Sequence, residues 1–131
     1  MSHENADVVR SIYRFLNDGD WDAAFRLVDP EFEATFQRSL NRGTHRGRDS
    51  VRAILEDQRA AFDRWVIEVD RLHESGDQVV VLITNRVQPK GTDVEVQTRN
   101  GHVWTIRDGV AVSWCGFPNP DEALEAAGLR E

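Results

Sequence analysis

The stretch from Asn100 to Leu129 constrains the fold of this chain more than any other. Gly101-His102-Val103-Trp104-Thr105-Ile106 alternates in the manner of a strand, Arg107-Asp108-Gly109 reads as a turn, and Val110-Ala111-Val112-Ser113-Trp114-Cys115 reads as the returning strand. Asn119 is then a helix cap, Pro120 occupies the first helical position, and Glu122 follows three residues after the cap. Gly128 stops that helix. A histidine and two tryptophans fall at even positions of neighbouring strands, so they share one face of a sheet.

Upstream, helical spacing dominates. Val8, Val9, Ile12, Tyr13 and Leu16 form one stripe that ends at Asn17-Asp18-Gly19. Asp20 caps a short second helix carrying Trp21, Ala24, Phe25 and Val28, and Pro30 comes just after its end. Glu31 to Phe36 alternates as a half-buried strand, and a polar loop follows from Gln37 to Gly47. A third helix carries Val51, Ile54, Leu55, Gln58 and Phe62 on one face. Strands are then predicted over Trp65 to Leu72, Gln78 to Val87 and Val94 to Ile106, separated by turns at Ser75-Gly76-Asp77 and Pro89 to Asp93. Three helices followed by an antiparallel meander is an α+β pattern. The 131 residues are expected to form a single domain.

Several function classes are disfavoured. The formal net charge of -7 repels phosphate backbones, so no nucleic-acid partner is expected. No apolar run approaches the roughly 20 residues of a membrane-spanning helix, and the first residues lack the pattern of a secretory signal. With Cys115 as the lone cysteine, the expected location is the cytoplasm. His3, His45, His73 and His102 lack ligand spacing with one another and with Cys115, so no metal and no cofactor is expected.

Five segments in order resemble the nuclear-transport-factor-2-like superfamily, in its SnoaL-like and ketosteroid-isomerase-like branch. They are Asn17 to Ala24, Val28 to Phe32, His45 to Val51, Val103 to Gly109 and Glu122 to Leu129. The resemblance implies a cystatin-like roll: a cone-shaped, curved, mainly antiparallel sheet, with three N-terminal helices and a short C-terminal helix around a deep pocket. It also implies where catalytic groups would sit. The helix-1 tyrosine of the isomerases falls on Ile12, with Tyr13 one residue off and turned about 100° away. The general-base carboxylate falls on Phe36, and the second oxyanion donor, a protonated carboxylic acid in those enzymes, falls on His102. Steroid isomerase chemistry is therefore not transferred. The inner face would present Asn100, His102 and Trp104 opposite Val112, Trp114 and Gly116, with Ile12, Phe36, Ile54 and Leu55 as apolar walls.

Two functional readings stay open. In one, His102 is the acid/base of an isomerase, dehydratase or cyclase acting on an apolar substrate, because its unperturbed pKa near 6.5 allows proton exchange at neutral pH. In the other, the same pocket only binds its ligand. The expected ligand is a small apolar or weakly anionic molecule. Arg38, Arg42, His45, Arg46 and Arg48 form a local basic cluster that could clamp an anion, although a solvated loop is the plainer account. Arg86 could enter the pocket or pair at the surface. Strands apolar on both faces need cover on both, so a homodimer through the outer sheet face, burying Val103, Cys115 and Phe117, is expected; Ala111 is also assigned to that outer face.

Overall fold

A computed structural model describes residues 4–37 and 42–129. Its elements run α1 (Glu4–Asn17), α2 (Trp21–Arg26), β1 (Val28–Phe36), β2 (Gly43–Arg46), α3 (Arg48–Arg59), β3 (Phe62–Ser75), β4 (Gln78–Pro89), β5 (Val96–Arg107), β6 (Val110–Phe117) and α4 (Pro120–Ala126). The strands form one six-stranded sheet in the order β2-β1-β6-β5-β4-β3. Only the β1–β6 pair is parallel. The architecture is the α+β one expected.

Local chemistry explains the element ends. The Asp20 carboxylate accepts from the Ala23 amide at 3.2 Å and opens α2. Asn119 accepts from the Glu122 amide at 3.0 Å and donates to the Glu122 carboxylate at 2.6 Å, which gives α4 a reciprocal cap. Between β5 and β6, Asp108 and Gly109 both have positive φ (53° and 81°), the backbone of a two-residue hairpin turn that Asp-Gly accommodates well. The side-chain amide of Asn17 donates to the Ile67 carbonyl at 2.8 Å and accepts from its amide at 2.9 Å. In this way α1 covers part of the open edge of β3.

Four local expectations need correction. Val28 lies in β1 and not in α2, because the Ala111 amide donates to the Leu27 carbonyl at 2.8 Å and draws the chain into the sheet. Pro30 consequently sits within β1, where the β1–β6 register breaks between Val28 and Glu33 and no ladder donor is required. The loop from Gln37 to Gly47 contains the short strand β2, and Phe62 begins β3 instead of extending α3. Ala111 faces inward with Ile106, because the β5–β6 register shifts between Thr105 and Ile106 and leaves Val112 as the extra residue.

The main core lies between the inner sheet face and the helices, where Val9, Ile12, Tyr13, Phe25, Phe32, Val51, Val79, Val81, Ile83 and Trp104 are buried together. A second, smaller cluster covers the outer face. There Val80, Leu82 and Val103 pack against Ala123 and Leu124 of α4, with Phe117 alongside. Gly101 makes this docking possible: a Cβ at that position would collide with the Cβ of Ala123 and sit 3.2 Å from the Pro120 backbone. The chain's own terminal helix therefore supplies the cover for Val103 that the strand pattern assigns to a second subunit.

Candidate functional site

The inner face of β5 presents Asn100, His102 and Trp104, as strand parity requires. His102 lies opposite Val81 of β4 and Gly116 of β6. The Tyr13 hydroxyl stands 2.6 Å from His102 Nδ1, and Trp104 Nε1–H donates to the same hydroxyl at 2.8 Å. Burial pushes the Tyr13 phenol well above its ordinary range, only partly offset by the Trp104 hydrogen bond, so the phenol keeps its proton. Its oxygen already accepts from the indole, and Nδ1 is the acceptor within reach of its proton. The chain of donation thus runs from Trp104 to Tyr13 to His102, which places the imidazole hydrogen on Nε2. Burial also lowers the His102 pKa to about 3. At neutral pH this is an uncharged ring for which donation from Tyr13 favours the Nε2–H tautomer, and Nε2 has no hydrogen-bond partner among the described residues.

Tyr13 is the member of this hydrogen-bonded cluster that sequence reading does not place beside His102. Helical spacing turns it away from the position held by Ile12, yet both are buried, Ile12 at 2% and Tyr13 at 3% exposure. The apolar stripe of α1 is broad enough to carry adjacent residues into the core. Ile12 packs in the interior, while the longer Tyr13 side chain reaches across to β5.

Aromatic rings surround the imidazole. Trp114 stands edge-on to His102 with centroids 4.9 Å apart, and Phe36 meets Trp114 at 5.0 Å. Phe36, at the place where the resemblance puts a carboxylate, is buried and also contacts the His45 ring at 5.8 Å. Gly116 leaves room for this arrangement, since a Cβ there would meet the Trp114 ring, with Cζ2 only 2.8 Å away. Ile54 and Leu55 of α3 pack against the same core but keep part of their surface open, as do Asn100, His102 and Trp114. These five side chains are thus half-buried, in contrast to the fully covered Ile12, Val81 and Ile83 of the same core.

Beyond His102 the inner face turns polar. Trp65 Nε1–H donates to Asn85 Oδ1 at 3.0 Å, and Asn85 Nδ2 donates to Asn100 Oδ1 at 2.7 Å. Asn100 Nδ2 donates to the Pro118 carbonyl at 3.2 Å, and Thr98 Oγ1 donates to Asn100 Oδ1 at 3.3 Å. The sequence reading singles out neither Trp65 nor Asn85; their i, i+2 parity with Ile67 and Ile83 is the available signal.

The remaining candidates are dispersed. Arg38 lies outside the described residues. Arg46 pairs with Glu33 at 2.7 Å, and Arg48 turns inward to the Val28 carbonyl at 3.3 Å, so these two do not converge on one anion. Arg86 projects from the opposite face to Asn85 and pairs with Glu68 at 2.9 Å and Glu95 at 3.0 Å. An open cleft of about 520 Å³ runs between α1 and β3, lined by Arg10, Tyr13, Arg14, Ile67, Val69 and Leu72 among others. Among the described residues, no group of three or more His, Cys, Asp or Glu side chains is arranged to hold a metal ion.

No protein of curated function is significantly similar in sequence. Solved structures share the fold. An NTF2-like protein of unknown function from Burkholderia pseudomallei is 25% identical with a TM-score of 0.81, covering 95% of this chain and 97% of that one. TerC, co-crystallised with polyporic acid, is 21% identical with a TM-score of 0.79 over 93% of this chain and 96% of its own. A putative SnoaL-like polyketide cyclase from Jannaschia sp. CCS1 is 20% identical with a TM-score of 0.74, over 87% and 84%. The sequence profile of the SnoaL-like domain matches residues 9–114, most of the length described above, and the chain belongs to that family.

Proposed function

We propose that the protein, taken as one SnoaL-like domain, binds a small apolar molecule on its concave face and holds an acceptor oxygen of that molecule on His102 Nε2–H. The observation that carries this reading is the Trp104–Tyr13–His102 relay, which commits Nδ1 and leaves Nε2–H as a donor. A neutral imidazole in a low-dielectric setting is a strong donor to a carbonyl because little water competes for it. Phe36, Trp114, Ile54 and Leu55 give such a ligand apolar and aromatic contacts. Titration near pH 3 makes His102 a poor general base at neutral pH, which favours binding over acid/base chemistry by this residue alone. An enzymatic role, of isomerase, dehydratase or cyclase type, would use His102 as the donor to a developing oxyanion. A homodimer through the outer face belongs to this proposal only at the β1–β2–β6 end, around Thr35, Thr44 and Cys115. α4 packs chiefly on β5 and β4, and sedimentation at micromolar concentration tests the pairing.

The test pairs 2-acetylnaphthalene with 2-ethylnaphthalene, which differ by one carbonyl. Titration followed by tryptophan fluorescence should show the ketone bound about tenfold more tightly, roughly the contribution of one hydrogen bond. His102→Phe should abolish the difference. Equal affinity for both compounds in the unmutated protein would overturn the reading. Deuterium exchange into the acetyl group, catalysed by the protein and lost in His102→Phe, would move the assignment to the enzymatic reading.

A further inference from the structure

Hydrogen-bond accounting on the inner face shows more unused donors than acceptors. Asn100 Oδ1 receives both Asn85 Nδ2 and Thr98 Oγ1, which fills its two lone pairs. Asn85 Oδ1 receives the Trp65 indole N–H. Asn85 Nδ2 gives one hydrogen to Asn100, and Asn100 Nδ2 gives one to the Pro118 carbonyl. Each amide therefore keeps a second N–H with no described partner. Both residues keep part of their surface open. His102 adds a third free N–H, on Nε2.

The geometry points to a second anchoring point for the ligand: we infer that the Asn85–Asn100 amide pair recognises a second acceptor oxygen, so that the favoured ligand is a flat apolar molecule with two acceptors about 7 Å apart. The spacing follows from the strand. Asn100 and His102 are separated by two residues on one face of β5, and a strand rises about 3.3–3.4 Å per residue. The amides cannot easily turn their oxygens to the ligand instead. Rotating Asn85 would set its NH2 against the Trp65 indole N–H, and rotating Asn100 would set its oxygen against the Pro118 carbonyl. Ligands carrying a donor at this end would face N–H groups and lose affinity for leaving them unpaired. Asn85 and Asn100 thus set specificity, while His102 sets the first contact.

This inference rests on the His102 reading, so the test separates the two. The probes are p-xylene, methyl benzoate and dimethyl terephthalate, with zero, one and two ester carbonyls on one ring, titrated calorimetrically into the full chain. Methyl benzoate should bind about tenfold more tightly than p-xylene through His102, and dimethyl terephthalate about tenfold more tightly again through the amides. In Asn100→Asp, which replaces the whole NH2 with an oxygen and so also removes the bond to the Pro118 carbonyl, the diester should lose its advantage over methyl benzoate. Asn85→Ser should reduce the same advantage and leaves a second variant should Asn100→Asp not fold. Equal binding of diester and monoester to the unmutated protein overturns the second anchoring point while leaving His102 in place. Equal or absent binding of all three overturns both.

Discussion

Replacing Tyr13 with phenylalanine removes one oxygen and keeps the ring, so it isolates the relay from the packing. The hydroxyl serves two groups at once. Without it, Trp104 Nε1–H loses its acceptor in a side chain only 6% exposed, and His102 Nδ1 loses its donor. An unsatisfied buried polar group costs about 1–3 kcal/mol. The indole should bear the full amount, while the imidazole, being partly open, should bear less. We expect a loss of roughly 2–4 kcal/mol, a large share of the ~5–15 kcal/mol stability of an ordinary domain. Urea unfolding measures it as a lower midpoint at unchanged slope. Long-range 1H–15N spectra report the second consequence: with Nδ1 released, His102 should no longer be confined to the Nε2–H tautomer. A loss below about 0.5 kcal/mol, together with an unaltered tautomer, would refute the relay.

Acid should destabilise the protein through His102. In the unfolded chain the ring protonates near pH 6.5, whereas in the fold it stays neutral to about 3. Over that window the unfolded state binds a proton the folded state does not. The contribution is therefore fully present above ~6.5 and lost as pH falls, by at most about 1.4 kcal/mol per unit. The difference in unfolding free energy between the unmutated protein and His102→Phe should shrink along this slope; parallel pH profiles would exclude it. Gly101→Ala drives a methyl into Ala123 and should cost about 1–3 kcal/mol as overpacking. Partial release of α4 would expose Val80 and Val103 to a hydrophobic dye, and unchanged stability with no added dye binding would show that α4 does not depend on this close approach.

Much of the fold is legible in the sequence because its signals are local. The Asp108-Gly109 turn, the Asn119 cap and the stripes of α1 and α3 each depend on neighbours within a few residues. The misassigned strand residues all involve long-range pairing. Val28 continues the spacing of α2 well enough to look helical, and only the backbone bond from Ala111 draws this part of the chain into a strand. β2 has four residues, Gly43–Arg46, of mostly exposed and polar character, and it exists because β1 offers an edge. Strict alternation puts Ala111 on the wrong face because it fails where Val112 is accommodated as an extra residue. The outer face misleads differently. Apolar residues on both sides of β4 do require two covers, but composition does not reveal that a seven-residue helix after β6 is the second one.

At the site, parity brings His102, Trp104 and Trp114 to one face, yet the chemistry of the histidine is decided by a residue on α1. An imidazole with a free pair of nitrogens near pH 6.5 can shuttle protons; one whose Nδ1 is held by a buried phenol cannot do so at the same nitrogen. The spacing rule that excludes Tyr13 treats a helix face as one residue wide, whereas a buried helix presents an arc of about 100°. Within that arc the longer side chain reaches farther, and Tyr13 spans to β5 where Ile12 stops in the core. The hydroxyl oxygen accepts from Trp104, and Nδ1 of His102 is the acceptor within reach of its proton. In the proposed reading, Tyr13 of α1 and Trp104 of β5 together make His102 a donor through Nε2. A catalyst that needed a base on this face would have to recruit it elsewhere, since Phe36 occupies the position at the end of β1.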